Sequence, residues 1–216
     1  MEERAVAVPG GEVTASLHGE GDTVIVLGHG AGSRRTQPAL VRLAEGLGAR
    51  RRVLLYNFLY SERKKGRPDP PAVLEATTRA VGEYARDALR ARRLVHGGRS
   101  MGGRIASQVV AAGAPADGLV FLAYPLHPPG KPDRLRDQHL PRVGVPMLFV
   151  QGTRDDFARP DLLAAVLARL GPRAGLHSVE GGDHSFGVRK ASGRTAHEVE
   201  AEVLAAVSTW LDGQDL

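Results

Sequence analysis

The chain contains no cysteine, which excludes a disulfide scaffold, a thiolate metal centre and a cysteine nucleophile together. Aromatic residues make up only 5%, and lysine is so scarce that arginine carries nearly all of the positive charge. No apolar run approaches the ~20 residues needed to cross a bilayer. The opening Met1-Glu2-Glu3-Arg4 leads into no apolar signal core, so a cytoplasmic protein without membrane association is expected. The formal net charge is +5. The tightest basic run, Arg50-Arg51-Arg52, falls where a helix should end; cations there favour the helix dipole, and the run reads as a solvated helix end. With so few aromatics available to stack bases, no nucleic-acid partner is expected. No two histidines share a zinc-ligand spacing such as H-E-x-x-H, so neither a metal nor a cofactor is expected.

What remains is an ordinary globular composition: 216 residues, 42% apolar and 25% charged, enough chain for one domain spanning 1–216. Short β-branched runs occur at Thr23–Leu27, Arg52–Tyr56, Arg93–His96, Leu119–Ala123, Met147–Gln151 and Leu176–Glu180. Their few polar residues suit strands covered on both faces. Amphipathic helical segments lie between most of them: Gln37 to Gly48, Ala72 to Leu89, and Pro160 to Leu170 with Gly171 ending it. A last helix opens on a capping box, Thr195 with Glu198. Ala5–Val8 and Val13–Leu17 look like an edge hairpin. The fold class is therefore α/β, a mostly parallel twisted sheet with helices on both faces. Ligands of such sheets bind beyond the carboxyl ends of the strands, and the unusual residues of this chain follow those ends.

Gly98-Arg99-Ser100-Met101-Gly102 is a G-x-S-x-G placed between a strand and a helix pattern of Met101, Ile105 and Val109. A serine in so sharp a turn has a strained backbone, and its flanking glycines relieve the crowding. The turn puts the Met101 N–H at a helix start, where an oxyanion is stabilised. Serine needs a base and an orienting acid. The run ending at Gln151 leads into Gly152-Thr153-Arg154-Asp155-Asp156, and the run ending at Glu180 leads into Gly181-Gly182-Asp183-His184. Asp155 fits the expected loop register, with Asp156 as the alternative acid; Asp183 reads as a turn carboxylate. The order Ser100, Asp155, His184 differs from the chymotrypsin and subtilisin orders. Gly28-His29-Gly30-Ala31-Gly32-Ser33 follows the first central strand; G-x-G-x-x-G fails at Ser33, which argues against a dinucleotide fingerprint. As an oxyanion loop the segment fits, with the Ala31 N–H partnering that of Met101.

These four segments (GHGAG at 28–32, GGRSMGG at 97–103, GTRD at 152–155 and GGDHSF at 181–186) resemble the α/β-hydrolase superfamily. Tyr124 to Pro132 and the short chain resemble a group of small predicted hydrolases related to dienelactone hydrolases. The resemblance implies a Ser100–Asp155–His184 triad, backbone donors at Ala31 and Met101, and a minimal α/β-hydrolase fold without a large cap domain. Dienelactone hydrolases use a cysteine nucleophile, which this chain lacks, so a serine enzyme acting on a small ester or thioester is expected. Some relatives look like subunits of chromatin-modifying complexes, which keeps a non-catalytic interaction module as the alternative.

The stretch from Pro125 to Val145 is rich in proline and charge and too poor in apolar residues for a large lid. His29, Arg99, Tyr124 and His127 are expected as substrate contacts at the rim. Arg34, Arg35, Arg99, Arg104, Arg154 and Lys131, in or beside the same loops, are expected to favour an anionic substrate by steering, with solvated surface charge as the alternative reading.

Overall fold

Alternation along the strands decides the layering. Ile25, Leu27, Val53, Leu55, Val120, Leu122, Leu148 and Val150 point to one face of a sheet, and Val24, Val26, Leu54, Phe121, Met147 and Phe149 to the other, all buried. Each face needs a helical cover because neither is polar. The computed structural model describes residues 1–216. Its strands are β1 (Glu2–Val8), β2 (Gly11–His18), β3 (Thr23–Gly28), β4 (Arg52–Tyr56), β5 (Arg93–Arg99), β6 (Gly118–Leu122), β7 (Met147–Gly152) and β8 (Ala174–Val179). Its helices are α1 (Pro38–Leu47), α2 (Leu59–Glu62), α3 (Pro71–Asp87), α4 (Met101–Ala111), α5 (Pro160–Leu170) and α6 (Ala196–Gly213).

One eight-stranded sheet runs β1-β2-β4-β3-β5-β6-β7-β8. β1 pairs antiparallel with β2 and β2 with β4, and every later pair is parallel. The α/β class and the edge hairpin thus match the expectation. α1 and α6 bury their apolar stripes on one face; α2, α3, α4 and α5 cover the other. The capping box of Thr195 and Glu198 opens α6, and Gly171 ends α5 at φ +67°, a conformation that favours glycine. Chain progression reverses at β3, whose neighbours are β4 and β5. The loops leaving β3 and β5 therefore diverge around a crevice at their carboxyl ends.

Several boundaries differ from the expectation. β5 continues past His96 to Arg99 because Gly97 and Gly98 still pair with Leu27 and Gly28 on one side and with Val120 and Phe121 on the other. β8 starts at Ala174 and stops at Val179. It is an edge strand, so Leu176 stays 45% exposed and apolar content marks its limits poorly. α2 was not expected; four residues are too few to show helical periodicity. The reading of Arg50 to Arg52 as a solvated helix end is corrected. α1 stops at Leu47, and Arg51 is buried, its Nε–H donating to the Leu216 carbonyl at 2.6 Å and its Nη2–H to Asp212 at 2.5 Å. Arg52 donates to the Leu89 carbonyl at 2.7 Å. The β6–β7 connection buries Leu126, Leu140 and Val143 against the α4 and α5 side of the core and forms no cap. No helix is long and apolar enough to cross a membrane.

Candidate active site

The turn from β5 into α4 is dictated by one close approach. A Cβ at Gly98 or at Gly102 would lie 2.2 Å from the same atom, the Gly28 carbonyl oxygen at the end of β3. Two glycines are thus required for this turn to sit against β3. Between them Ser100 adopts φ +49° and ψ −112°, a strained conformation for a residue with a side chain. Its N–H donates to the Leu122 carbonyl at 2.9 Å, fixing the strained residue to the end of β6.

His184 Nε2 lies 2.8 Å from Ser100 Oγ. Its Nδ1 lies 2.9 and 2.8 Å from the two carboxylate oxygens of Asp155. That carboxylate is an acceptor only, so Nδ1 carries the proton and Nε2 presents its lone pair to the hydroxyl. Asp155 is buried, and its other donors are the Phe157 N–H at 2.8 Å and Gln151 Nε2 at 2.5 Å. The loops carrying acid and imidazole are laced together. The Arg154 N–H donates to the Gly182 carbonyl at 2.8 Å, and the Gly181 N–H to Thr153 Oγ1 at 2.9 Å. The Phe157 ring stacks on the imidazole, centroids 4.1 Å apart. Asp156 is exposed, and Asp183 Oδ1 accepts from the Ser185 and Gly187 N–H groups, which leaves Asp155 as the acid facing His184.

The loop after β3 crosses beside the serine: a Cβ on Gly30 would be 3.7 Å from Ser100 Cβ. Tyr60 Oη, on α2, accepts from the Gly32 N–H at 3.1 Å and donates to the Gly30 carbonyl at 3.4 Å, bracketing Ala31. Met101 is the first residue of α4, and helix geometry leaves its N–H without an intrahelical acceptor.

Of the expected rim contacts, none presents itself as expected. His29 is fully buried; its Nδ1–H donates to the Gly30 carbonyl at 2.8 Å and its Nε2 accepts from the Phe58 N–H at 3.3 Å. Burial lowers its pKa to about 4, so it is a neutral support for the loop. Tyr124 is fully buried and donates to the Arg136 carbonyl at 2.8 Å. His127 is buried, with its ring nitrogens against the Pro128 carbonyl and the Arg159 N–H. Arg99 turns beneath the site, its Nη2 donating to the His184 carbonyl at 2.9 Å and to Ser185 Oγ at 3.1 Å. Burial lowers its pKa, opposed by the charges of Asp155 and Asp183. Several of the steering cations are engaged in the fold: Arg35 pairs with Glu3, Arg104 bonds Gln108 and Arg154 bonds the Gly181 carbonyl, while Arg34 and Lys131 are exposed. The sequence reading missed Gln151, Phe157 and Tyr60. Only Gln151 carried a signal, as a polar residue closing an otherwise apolar strand.

Residues 21–212 match a family described as an alpha/beta hydrolase domain. Among solved structures, dienelactone hydrolase from Anabaena variabilis is similar at 20% identity and TM-score 0.77, over 98% of this chain and 97% of that one. An α/β serine hydrolase without a lid from Xanthomonas campestris is similar at 19% identity and TM-score 0.72, over 98% and 93%. Est1E from Butyrivibrio proteoclasticus is similar at 14% identity and TM-score 0.76, over 99% of both chains. At such identities these likenesses speak for the fold, whereas the family match spans nearly the whole sequence: the chain belongs to the alpha/beta hydrolase domain family.

Proposed function

We propose that this protein is a serine hydrolase that cleaves small esters or thioesters through an acyl-enzyme intermediate. The observation that carries the reading is the unbroken hydrogen-bonded line from Ser100 Oγ through both ring nitrogens of His184 to buried Asp155. Ser100 Oγ attacks the acyl carbon while His184 Nε2 takes its proton, and the carbonyl π pair moves onto oxygen. The N–H groups of Ala31 and Met101 stabilise that oxyanion, and Asp155 stabilises the imidazolium. As the tetrahedral species collapses, the bond to the alkoxide or thiolate breaks and His184 returns the proton to the leaving group. Water then attacks the acyl-serine with His184 again as base, releasing the acid and restoring the Ser100 hydroxyl. A β6–β7 connection that builds no cap favours small substrates.

The experiment is covalent labelling by a fluorophosphonate, together with turnover of p-nitrophenyl acetate and butyrate, for wild type and Ser100→Ala. Wild type should be labelled and turn over both esters. Ser100→Ala should lose the label and nearly all turnover with an unchanged circular dichroism spectrum. Equal labelling of the two proteins, or no labelling and no turnover by wild type, would remove the proposal.

A further inference from the structure

A cavity of about 300 Å³ lies between α1 and α6, on the opposite face of the sheet from α4. Leu40 and Leu43 of α1, Val199, Val203 and Leu204 of α6, and Phe186 of the loop after His184 supply its apolar wall. Ser100, Asp155 and His184 do not line it. An apolar chamber with few polar groups is the usual form of a small-molecule site, and one residue here defines the chemistry.

Arg99 lines the cavity and is only 8% exposed. No carboxylate lies within 4.0 Å of its guanidinium, since it is absent from every ion pair of the molecule. Its Nη2 serves the His184 carbonyl and Ser185 Oγ; the Nε–H and the Nη1 donors have no acceptor within the chain. The charges of Asp155 and Asp183 act on it from beyond contact distance, but a buried cation with no ion pair and with free donors still favours an anion that can reach it. The other charged groups of the wall do not cancel it. Arg42 and Glu200 neutralise each other through two hydrogen bonds, at 2.7 and 2.5 Å. His197 is exposed.

We propose that this cavity binds an aliphatic monocarboxylate of medium chain length, with its carboxylate on Arg99 and its hydrocarbon tail between α1 and α6. At roughly 30 Å³ for each heavy atom, by analogy with the share of a water molecule in the liquid, the space holds about ten such atoms. Octanoate has this size. The proposed site adjoins the acyl chemistry through Arg99, which also donates to the His184 carbonyl, but its ligand needs neither Ser100 nor the acyl step.

Isothermal titration of the full chain with octanoate, octanol and acetate tests both halves of the proposal. Octanoate should bind at least about tenfold more tightly than octanol, which lacks the charge, or acetate, which lacks the tail. Ala39→Phe and Ala201→Phe, each placing a ring in the wall, should each weaken octanoate binding by about tenfold or more while melting within a few degrees of wild type. Two substitutions on different helices guard against a folding defect in either one. Ser100→Ala should bind octanoate as wild type does. Failure of octanoate to bind, octanol binding as tightly as octanoate, full affinity in both bulky variants, or loss of binding in Ser100→Ala would each overturn the proposal.

Discussion

Arg99 donates from Nη2 to the carbonyl oxygen of His184 at 2.9 Å, so the residue preceding the serine braces the loop that carries the imidazole. Ser100 and His184 thereby share a support that a purely local view of either turn would miss. Arg99→Met keeps much of the side-chain volume and removes the donor. The imidazole should then sample positions away from Ser100, and small displacements of a reacting group cost about 10²-fold in rate. A fall in kcat of about ten- to a hundredfold with KM changed by less than about threefold is expected, partly restored by Arg99→Lys. Steady-state kinetics on a p-nitrophenyl ester separate this from general destabilisation. If the variant lost only melting temperature and kept its kcat, the brace would have no part in catalysis.

Tyr60 holds the loop proposed to supply the Ala31 oxyanion donor from outside it. Its hydroxyl accepts from the Gly32 N–H and donates to the Gly30 carbonyl, and Ala31 lies between these two anchors. Tyr60→Phe preserves the ring and its stacking on Phe58 but releases both anchors. One neutral hydrogen bond is worth about 1 kcal/mol to stability, so the fold should survive. Loss of a well-aimed oxyanion donor costs up to about 10² to 10³ in kcat; loosening one should cost about tenfold, with KM nearly unchanged. Kinetics and thermal denaturation of the same preparation check the two halves. An unchanged kcat would mean that Ala31 needs no help from α2.

The glycine at 102 is required by space alone, because its backbone φ is not in the left-handed region. A Cβ there would lie 2.2 Å from the Gly28 carbonyl oxygen and 2.4 Å from its carbon, and backbone cannot yield as a flexible side chain would. Gly102→Ala should therefore destabilise by about 3 kcal/mol or more. Gly144→Ala is the control: that glycine is exposed, with nothing within 4 Å of its prospective Cβ and no positive φ. It should be neutral or stabilising by up to about 1 kcal/mol. Urea denaturation of the pair measures the difference, and similar midpoints would contradict the close approach.

How much of this was legible in the sequence follows from the range of the forces involved. The central strands could be read because both faces are buried, which writes continuous apolar runs into the chain. β8, with one neighbour and an exposed Leu176, writes a weaker one and was placed two residues late. Ser100, Asp155 and His184 could be read because each follows a strand end at a glycine turn, a local mark of a non-local meeting. The supports could not. Tyr60 sits on a single helical turn, and Arg99 reaches across 85 residues to the His184 carbonyl. His29, Tyr124 and His127 were misplaced for one shared reason: polar residues in strand-end loops suggest exposure, yet each is buried and hydrogen-bonded to nearby backbone. Arg51 misled similarly, since a run of three arginines hides which one turns inward.

His29 also sets how the molecule should respond to acid. Burial lowers its pKa from 6.5 to about 4, and burial does the same for His96. In the unfolded chain both imidazoles return to the ordinary value. Between about pH 6.5 and about pH 4 the unfolded chain therefore binds protons that the folded chain does not, and stability falls as pH falls. Above that window the contribution is fully present, and below it the loss is complete, on the order of 3 kcal/mol for each buried ring. His139, lowered to about 4 by burial with help from Arg104 and Arg142, adds a smaller share because water still reaches it. Protonated His29 would also place a second N–H where Nε2 now accepts from Phe58, so the loss should begin at the loop after β3. Unfolding free energies from urea titrations at about pH 7, 6 and 5 should decline steeply for wild type. For His29→Asn, which can keep a donor toward the Gly30 carbonyl, the decline should be shallower by about 1 kcal/mol per pH unit across this range, steepening toward pH 5. Parallel declines for the two proteins would show that His29 titrates no differently in the folded and unfolded chains.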